Sequence, residues 1–174
     1  MISSKENKNS FLLLLVPLLM IGMILQIVQL PEIVSQNRPD FLMLFILFFA
    51  VQSRKFTYTL EISWVVGLLL DLTTGAPLGI NALIISSQIY LITTQFKNFH
   101  KYVMFQQMII VGIVNFLVCI LGYWIEHIIG QAYFEMQFLI PAVSTALFWP
   151  FIYIICAILC STFSIEIYDK EKAD

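Results

Sequence analysis

Apolar runs separated by short charged segments constrain this chain more than any other feature of its sequence. The first run extends from 11 to 30 and contains twenty residues without a charge. At about 1.5 Å per residue, a helix of that length covers about 30 Å, which is the thickness of a bilayer core. The composition agrees, because 60% of the residues are hydrophobic and only 11% are charged, against roughly 25% charged in soluble domains. The sequence therefore predicts an integral membrane protein.

The runs predict an all-α fold, a polytopic membrane helical bundle with six transmembrane helices in a single domain, 1–174. The first run is longer than the roughly 7–15 apolar residues of a signal peptide, and no small-x-small cleavage site follows it, so we expect it to remain as a spanning helix. The second run is short, since a helix over its thirteen apolar residues, 41–53, covers only about 20 Å. The predicted spans are 11–30, 39–53, 57–71, 81–96, 102–125 and 138–165.

The basic residues predict the orientation of the spans. If all six runs cross and the N-terminus is cytoplasmic, eight of the nine Lys and Arg residues lie on the cytoplasmic side and only Arg38 lies outside. This positive-inside pattern predicts an N-in/C-in topology. Without the second span, Arg54 and Lys55 would lie on the opposite side from Lys5 and Lys8, so we expect that span to cross as well.

Asp71 is the acidic residue that the topology explains least. It falls at the end of the third span, where the helix dipole disfavours a negative charge. Gly75 and Pro77 follow it in a pattern typical of a helix end. Two alternatives stay open: the carboxylate is solvated at the interface, or it turns into the bundle and is hydrogen-bonded. In the second case Thr73, Thr74 and backbone N–H groups of the turn would satisfy it locally.

Asp71 is far from Glu61 but shares a predicted membrane level with Arg38 and Asp40. Glu61 lies ten residues earlier, about 15 Å away along a helix, so the two cannot act as paired carboxylates. Arg38, Asp40 and Asp71 share the predicted outer level, and we expect them to form one polar cluster that bridges spans two and three, as a partner-binding or structural element. The full predicted cluster is Arg38, Asp40, Asp71, Thr74, Gly75 and Gly79.

Spans five and six contain polar and proline positions that predict packing roles. Gln107 lies within span five, where an amide commonly bonds a neighbouring helix. Pro150 follows Trp149 in the middle of span six and should kink it. The residues assigned to packing and kinking are Gln107, Glu126, Trp149 and Pro150.

Several function classes are disfavoured. The sequence has no nucleophile–base pair, no HExxH motif and no glycine-rich phosphate loop, so we expect no enzyme activity, no catalytic residue and no cofactor. His127 beside Glu126 lacks further ligands, and we expect no metal site. The basic residues are dispersed, which excludes a nucleic-acid footprint.

Several segments, in order, resemble the bacterial rod shape-determining protein MreD family. The resemblance covers almost the whole chain and depends on the combination rather than on any single motif. The matching elements are LQIVQLPE at 25–32, RPDFLMLFILFFA at 38–50, GLLLDLTTGAPLG at 67–79, FQQ at 105–107, an aromatic–x–Glu element at 124–126 and LFWP at 147–150.

The resemblance implies a non-enzymatic subunit of the elongasome, the complex that builds lateral peptidoglycan, in the bacterial inner membrane. The implied direct partner is MreC, a bitopic protein, and through it RodA, a class B penicillin-binding protein and the MreB filament. The implied fold is similar to that of the substrate-binding subunits of energy-coupling-factor vitamin transporters. The tail at 165–174 matches no family feature.

That implied fold leaves a second function open, because fold does not fix function. A small-molecule binding subunit of a transporter should have a pocket near its outer face, lined by convergent aromatic and polar side chains. Trp64, Asn115, Trp124 and Trp149 are available for such a pocket. An ion-coupled carrier would instead need paired carboxylates deep in the bundle, whereas the acidic residues fall near predicted membrane boundaries.

Overall fold

The computed structural model describes residues 3–28, 38–52, 56–96, 98–130 and 139–162, without the side chains of 3–13, 56–58, 126 and 139. This part of the chain is built from helices joined by turns. The α-helices are α1 (Ser3–Ile27), α2 (Phe41–Gln52), α3 (Phe56–Thr74), α4 (Ile80–Gln95), α5 (Met104–Ile129) and α6 (Leu139–Thr162), with a short 3-10 helix at Phe99–Lys101 between α4 and α5. The all-α prediction therefore holds for the described residues.

The shortest α-helix described, α2, forms the core of the bundle. Its residues 42–50 are all buried, none more than 5% exposed, and the helix packs against α1, α3, α4 and α6. A helix that is apolar on every side suits such a position. Its 12 residues cover about 18 Å, so the short second run predicted from the sequence is an interior helix enclosed by its neighbours.

Among the described glycines, Gly67 on α3 makes the closest approach to the backbone of another helix, α4. A Cβ added to Gly67 would lie 2.3 Å from the Ala82 Cα and 2.7 Å from the Ala82 N. Small residues permit such contacts between helices, and in membranes they allow close packing of the two backbones. This contact fixes α3 against α4 and so positions the turn between them.

The outward faces of α5 and α6 are apolar and exposed. On α5 the exposed residues Ile109, Ile113, Leu117 and Leu121 recur at every fourth position. Two stretches, Met104–Ile129 and Ile140–Thr162, are long and apolar enough to cross a membrane, and only 28% of the most apolar part of each is buried. The core helix of a soluble protein would be mostly buried, so these faces suit contact with lipid.

The helices and the predicted spans overlap but differ at their ends. The α1 helix begins at Ser3, eight residues before the predicted span, and α5 continues to Ile129. The α6 helix runs through Pro150 without interruption. The count of six spans and the N-in/C-in orientation stay predictions, since Arg54, Lys55, Lys97 and the C-terminal basic residues lie outside the described residues, as do the side chains of Lys5 and Lys8.

Candidate functional site

The carboxylate of Asp71 is buried at the end of α3 and is fully hydrogen-bonded. Asp71 is 1% exposed. Its Oδ2 accepts the Gly79 backbone N–H at 2.7 Å, and its Oδ1 accepts the Asn81 backbone N–H at 3.0 Å and the Asn81 Nδ2 at 2.9 Å. Hydrogen bonds to an ionised acceptor are stronger than those between neutral groups. The carboxylate therefore joins the end of α3 to the start of α4.

The helix dipole explains why a negative charge is tolerated at this position. Asp71 opposes the dipole of its own helix, but its donors lie at the N-terminus of α4, where backbone N–H groups lack intrahelical partners and the dipole favours an anion. Of the two alternatives that the sequence left open, the structure shows the inward, hydrogen-bonded one.

The local partners differ from those expected from the sequence. The hydroxyl of Thr74 donates to the Leu70 carbonyl at 2.8 Å, and that of Thr73 donates to the same carbonyl at 2.9 Å. The expectation that these threonines satisfy Asp71 is therefore wrong, whereas the backbone N–H groups of the turn do take part. Sequence reasoning missed Asn81, although an amide beside the predicted start of a helix was the available signal.

Two glycines shape the α3–α4 turn. Gly75 has φ 71° and Gly79 has φ 100°, both in the left-handed region that glycine adopts without steric cost. The Gly75 N–H donates to the Asp71 carbonyl at 3.0 Å and closes α3. A Cβ at either glycine would meet nothing within 4 Å, so backbone conformation, not space, selects glycine here.

Arg38 joins the end of α1 to the start of α2. Its guanidinium donates to the backbone carbonyls of Gln26 and Val28, which are among the carbonyls that a helix C-terminus leaves without partners. A cation at that end also complements the helix dipole. Arg38 is therefore a helix cap that spans the connection between α1 and α2.

Asp40 caps α2 and contacts α6. Its Oδ1 accepts the Met43 N–H at 3.2 Å, as an N-cap residue does, and its own backbone N–H donates to the Thr145 Oγ1 at 3.0 Å. The hydrogen bonds of Arg38, Asp40 and Asp71 go to three different sets of partners, and no ion pair joins them in the described part of the chain. The single polar cluster expected from the sequence is thus three separate junctions between helices.

A buried amide connects α5, α6 and the 3-10 helix. The indole of Trp149, which is fully buried, donates to the Gln107 Oε1 at 3.0 Å. The Gln107 Nε2 in turn donates to the carbonyls of Phe99 and Tyr102, each at 3.1 Å. Gln107 and Trp149, predicted to have packing roles, therefore share one hydrogen-bonded network.

Gln107→Leu is expected to lower the free energy of unfolding by about 2 kcal/mol, because it leaves the buried Trp149 indole N–H without an acceptor and removes one donor from each of the Phe99 and Tyr102 carbonyls. The measurement is unfolding of the purified protein in detergent. The matched control is Gln106→Leu, since Gln106 is the exposed neighbour and only accepts the Val103 N–H at 3.3 Å. Equal losses in the two variants would contradict the role of the buried network.

The residues proposed for a transporter pocket do not converge. Trp64 and Trp124 are 52% and 66% exposed on outward faces, whereas Trp149 and Asn115 are buried. The Asn115 Oδ1 accepts the Cys119 thiol at 3.1 Å. The four side chains therefore do not line one outer pocket.

The remaining predicted positions are Glu126 and Pro150. The Glu126 side chain lies outside the described residues, so its packing role stays a prediction, as does a kink at Pro150. Within the described residues, no group of three or more His, Cys, Asp or Glu side chains is arranged to hold a metal ion.

The fold and these junctions define a class of protein, an all-helical membrane protein whose buried polar groups fix its own helix ends. The family model described as rod shape-determining protein MreD matches residues 6–159, and the chain belongs to that family. The rod shape-determining protein MreD of Haemophilus influenzae is 24% identical over 135 residues, which cover 78% of this chain and 83% of that protein. The resemblance identified in the sequence is thereby confirmed, and the matched family is shape-determining rather than catalytic.

No solved structure matches the chain significantly. The likeness to energy-coupling-factor subunits therefore stays a prediction.

Proposed function

We propose that this chain is a multi-pass subunit of the bacterial inner membrane that supports rod shape by binding MreC and helping to organise the elongasome. The observation that carries the proposal is the match to the MreD family over residues 6–159. MreC is the direct partner, and RodA, a class B penicillin-binding protein and MreB are indirect partners. The chain acts as a scaffold in lateral peptidoglycan synthesis and performs no chemistry of its own.

The architecture supports a scaffold that uses helix faces for recognition. The connection between α3 and α4 comprises only residues 75–79, which is too short to form a docking domain. The polar side chains at the helix ends, among them Arg38 and Asp71, bind their own backbone neighbours. We therefore expect partner helices to pack through apolar faces with a few polar contacts.

Depletion and complementation in a rod-shaped host test the proposal. We expect cells to round up on depletion, a tagged copy to restore the rod, and MreC to copurify with it. Rod shape retained with loss of vitamin uptake would contradict the scaffold and favour the transporter subunit.

The N-in/C-in topology gives a separate prediction. Reporters fused at residue 1 and at residue 174 are both expected to report the cytoplasm, because eight of nine basic residues then lie inside. A reporter inserted within the predicted outer loop, 126–136, serves as the control and should report the periplasm. Terminal reporters on opposite sides would rule out an even number of spans.

A further inference from the structure

One outward stripe of α3 combines apolar side chains with a single carboxylate. Glu61, Trp64, Val65, Leu69 and Leu72 are all exposed. Their spacing of i, i+3, i+4, i+8 and i+11 places them on one side of the helix. We call this stripe the Glu61 face; it extends over the twelve residues 61–72, a rise of about 17 Å.

Glu61 has no cationic neighbour on its own helix. The positions three and four residues away are Thr57, Tyr58, Trp64 and Val65, and side chains at those positions are the ones a helical residue can reach. No hydrogen bond or ion pair to Glu61 occurs in the described part of the chain.

Glu61 and Asp71 differ in how far their side chains are buried. Asp71 is buried and has three donors, whereas Glu61 is exposed among apolar side chains. Of the acidic side chains that the structure describes, Glu61 alone is exposed. Glu61 lies four residues inside the cytoplasmic end of the predicted span 57–71, and an exposed carboxylate held there among apolar side chains is a candidate for a functional contact.

The other outward faces differ in this respect. The exposed stripe on α5 that contains Ile113 and Leu117 is apolar throughout, and lipid alone satisfies it. A face that includes a carboxylate calls for a complementary cation. Charge complementarity therefore distinguishes α3 from α5 as a docking surface.

We propose that the Glu61 face binds one membrane-spanning helix of a bitopic partner, and that this helix carries a Lys or Arg at the level of Glu61. The 17 Å length of the stripe, about three helical turns, matches one helix packed alongside α3. Trp64 supplies a large aromatic contact beside the ion pair, as aromatic residues do at interface centres. The inference rests on the proposed function, because the expected direct partner has a single spanning helix.

Site-directed photo-crosslinking in native membranes tests the position of the partner. The full-length chain receives a photoreactive residue at Val65, and the matched control receives it at Ile113, which is similarly exposed on α5. We expect Val65 to give a product with the bitopic partner, identified by mass spectrometry, and Ile113 to give none. A product with a second copy of this chain, or with lipid alone while MreC still copurifies, would overturn the Glu61 face but leave the proposed function intact.

Charge exchange tests the ion pair. Glu61→Lys is expected to reduce recovery of the partner by about tenfold while the melting temperature of the purified protein stays unchanged. Exchange of the partner's basic residue for Glu should restore recovery in combination with Glu61→Lys. Unchanged recovery with Glu61→Lys would overturn the ion pair, and failure of MreC to copurify with the unsubstituted chain would overturn the proposed function as well.

Discussion

Gly67→Ala is expected to lower the free energy of unfolding by about 3 kcal/mol, as overpacking of a filled contact does. The added methyl group would lie 2.3 Å from the Ala82 Cα, a backbone atom that can move only if α3 and α4 separate. This expected loss is a net value, because alanine is favoured over glycine within a helix by roughly 1 kcal/mol and the cost of the clash must exceed that gain. The measurement is thermal or denaturant unfolding of the purified protein in detergent.

Gly122→Ala is the matched control for this prediction. Its new Cβ would lie 2.7 Å from the Ile84 Cδ1, which is the far end of a flexible side chain and can rotate away. We expect a loss below about 1 kcal/mol, since helix propensity offsets part of the clash. A Gly67→Ala protein as stable as the unsubstituted one would show that the two backbones do not touch at Ala82.

Asp71→Ala is expected to lower the free energy of unfolding by about 3 kcal/mol, because it leaves three partly buried donors of Gly79 and Asn81 without their acceptor. The free energy of unfolding of Asp71→Asn should lie between that of the unsubstituted protein and that of Asp71→Ala. The amide retains one oxygen for Asn81 but places an NH2 group opposite the Gly79 N–H. Unfolding in detergent measures both variants, and the amount of folded protein in membranes should decrease in the same order.

Glu61→Ala is the control for Asp71, since both carboxylates lie on α3 but only Asp71 is hydrogen-bonded. Because Glu61 is exposed, we expect a stability change within about 0.5 kcal/mol. The two positions thus separate folding from recognition: the Asp71 variants lose folded protein, and the Glu61 variants lose partner. A stable Asp71→Ala protein that no longer binds MreC would instead place Asp71 in the partner contact.

Asp71 illustrates what sequence reasoning can and cannot supply. The residue types after it, Gly75 and Pro77, predicted the helix end, since that depends on local backbone preferences. Its acceptor role depends on donors 8 and 10 residues later, across a turn whose path is set by the Gly67–Ala82 contact. Arg38 and Asp40 are near each other in the chain but cap different helices. The acceptors of Arg38 lie 12 and 10 residues earlier, at the end of α1, whereas Asp40 caps α2 locally.

The sequence by itself determined that this is an apolar, helical membrane protein of the MreD family, because span length, charge content and motif order are properties of the chain alone. The tertiary structure decided which faces meet. The helix α2, Phe41–Gln52, has apolar residues on all of its sides. Its sequence therefore has no periodicity that would distinguish contact with lipid from contact with protein. Its interior position, like the bond between Gln107 and Trp149 42 residues away, follows only from the packing of distant helices.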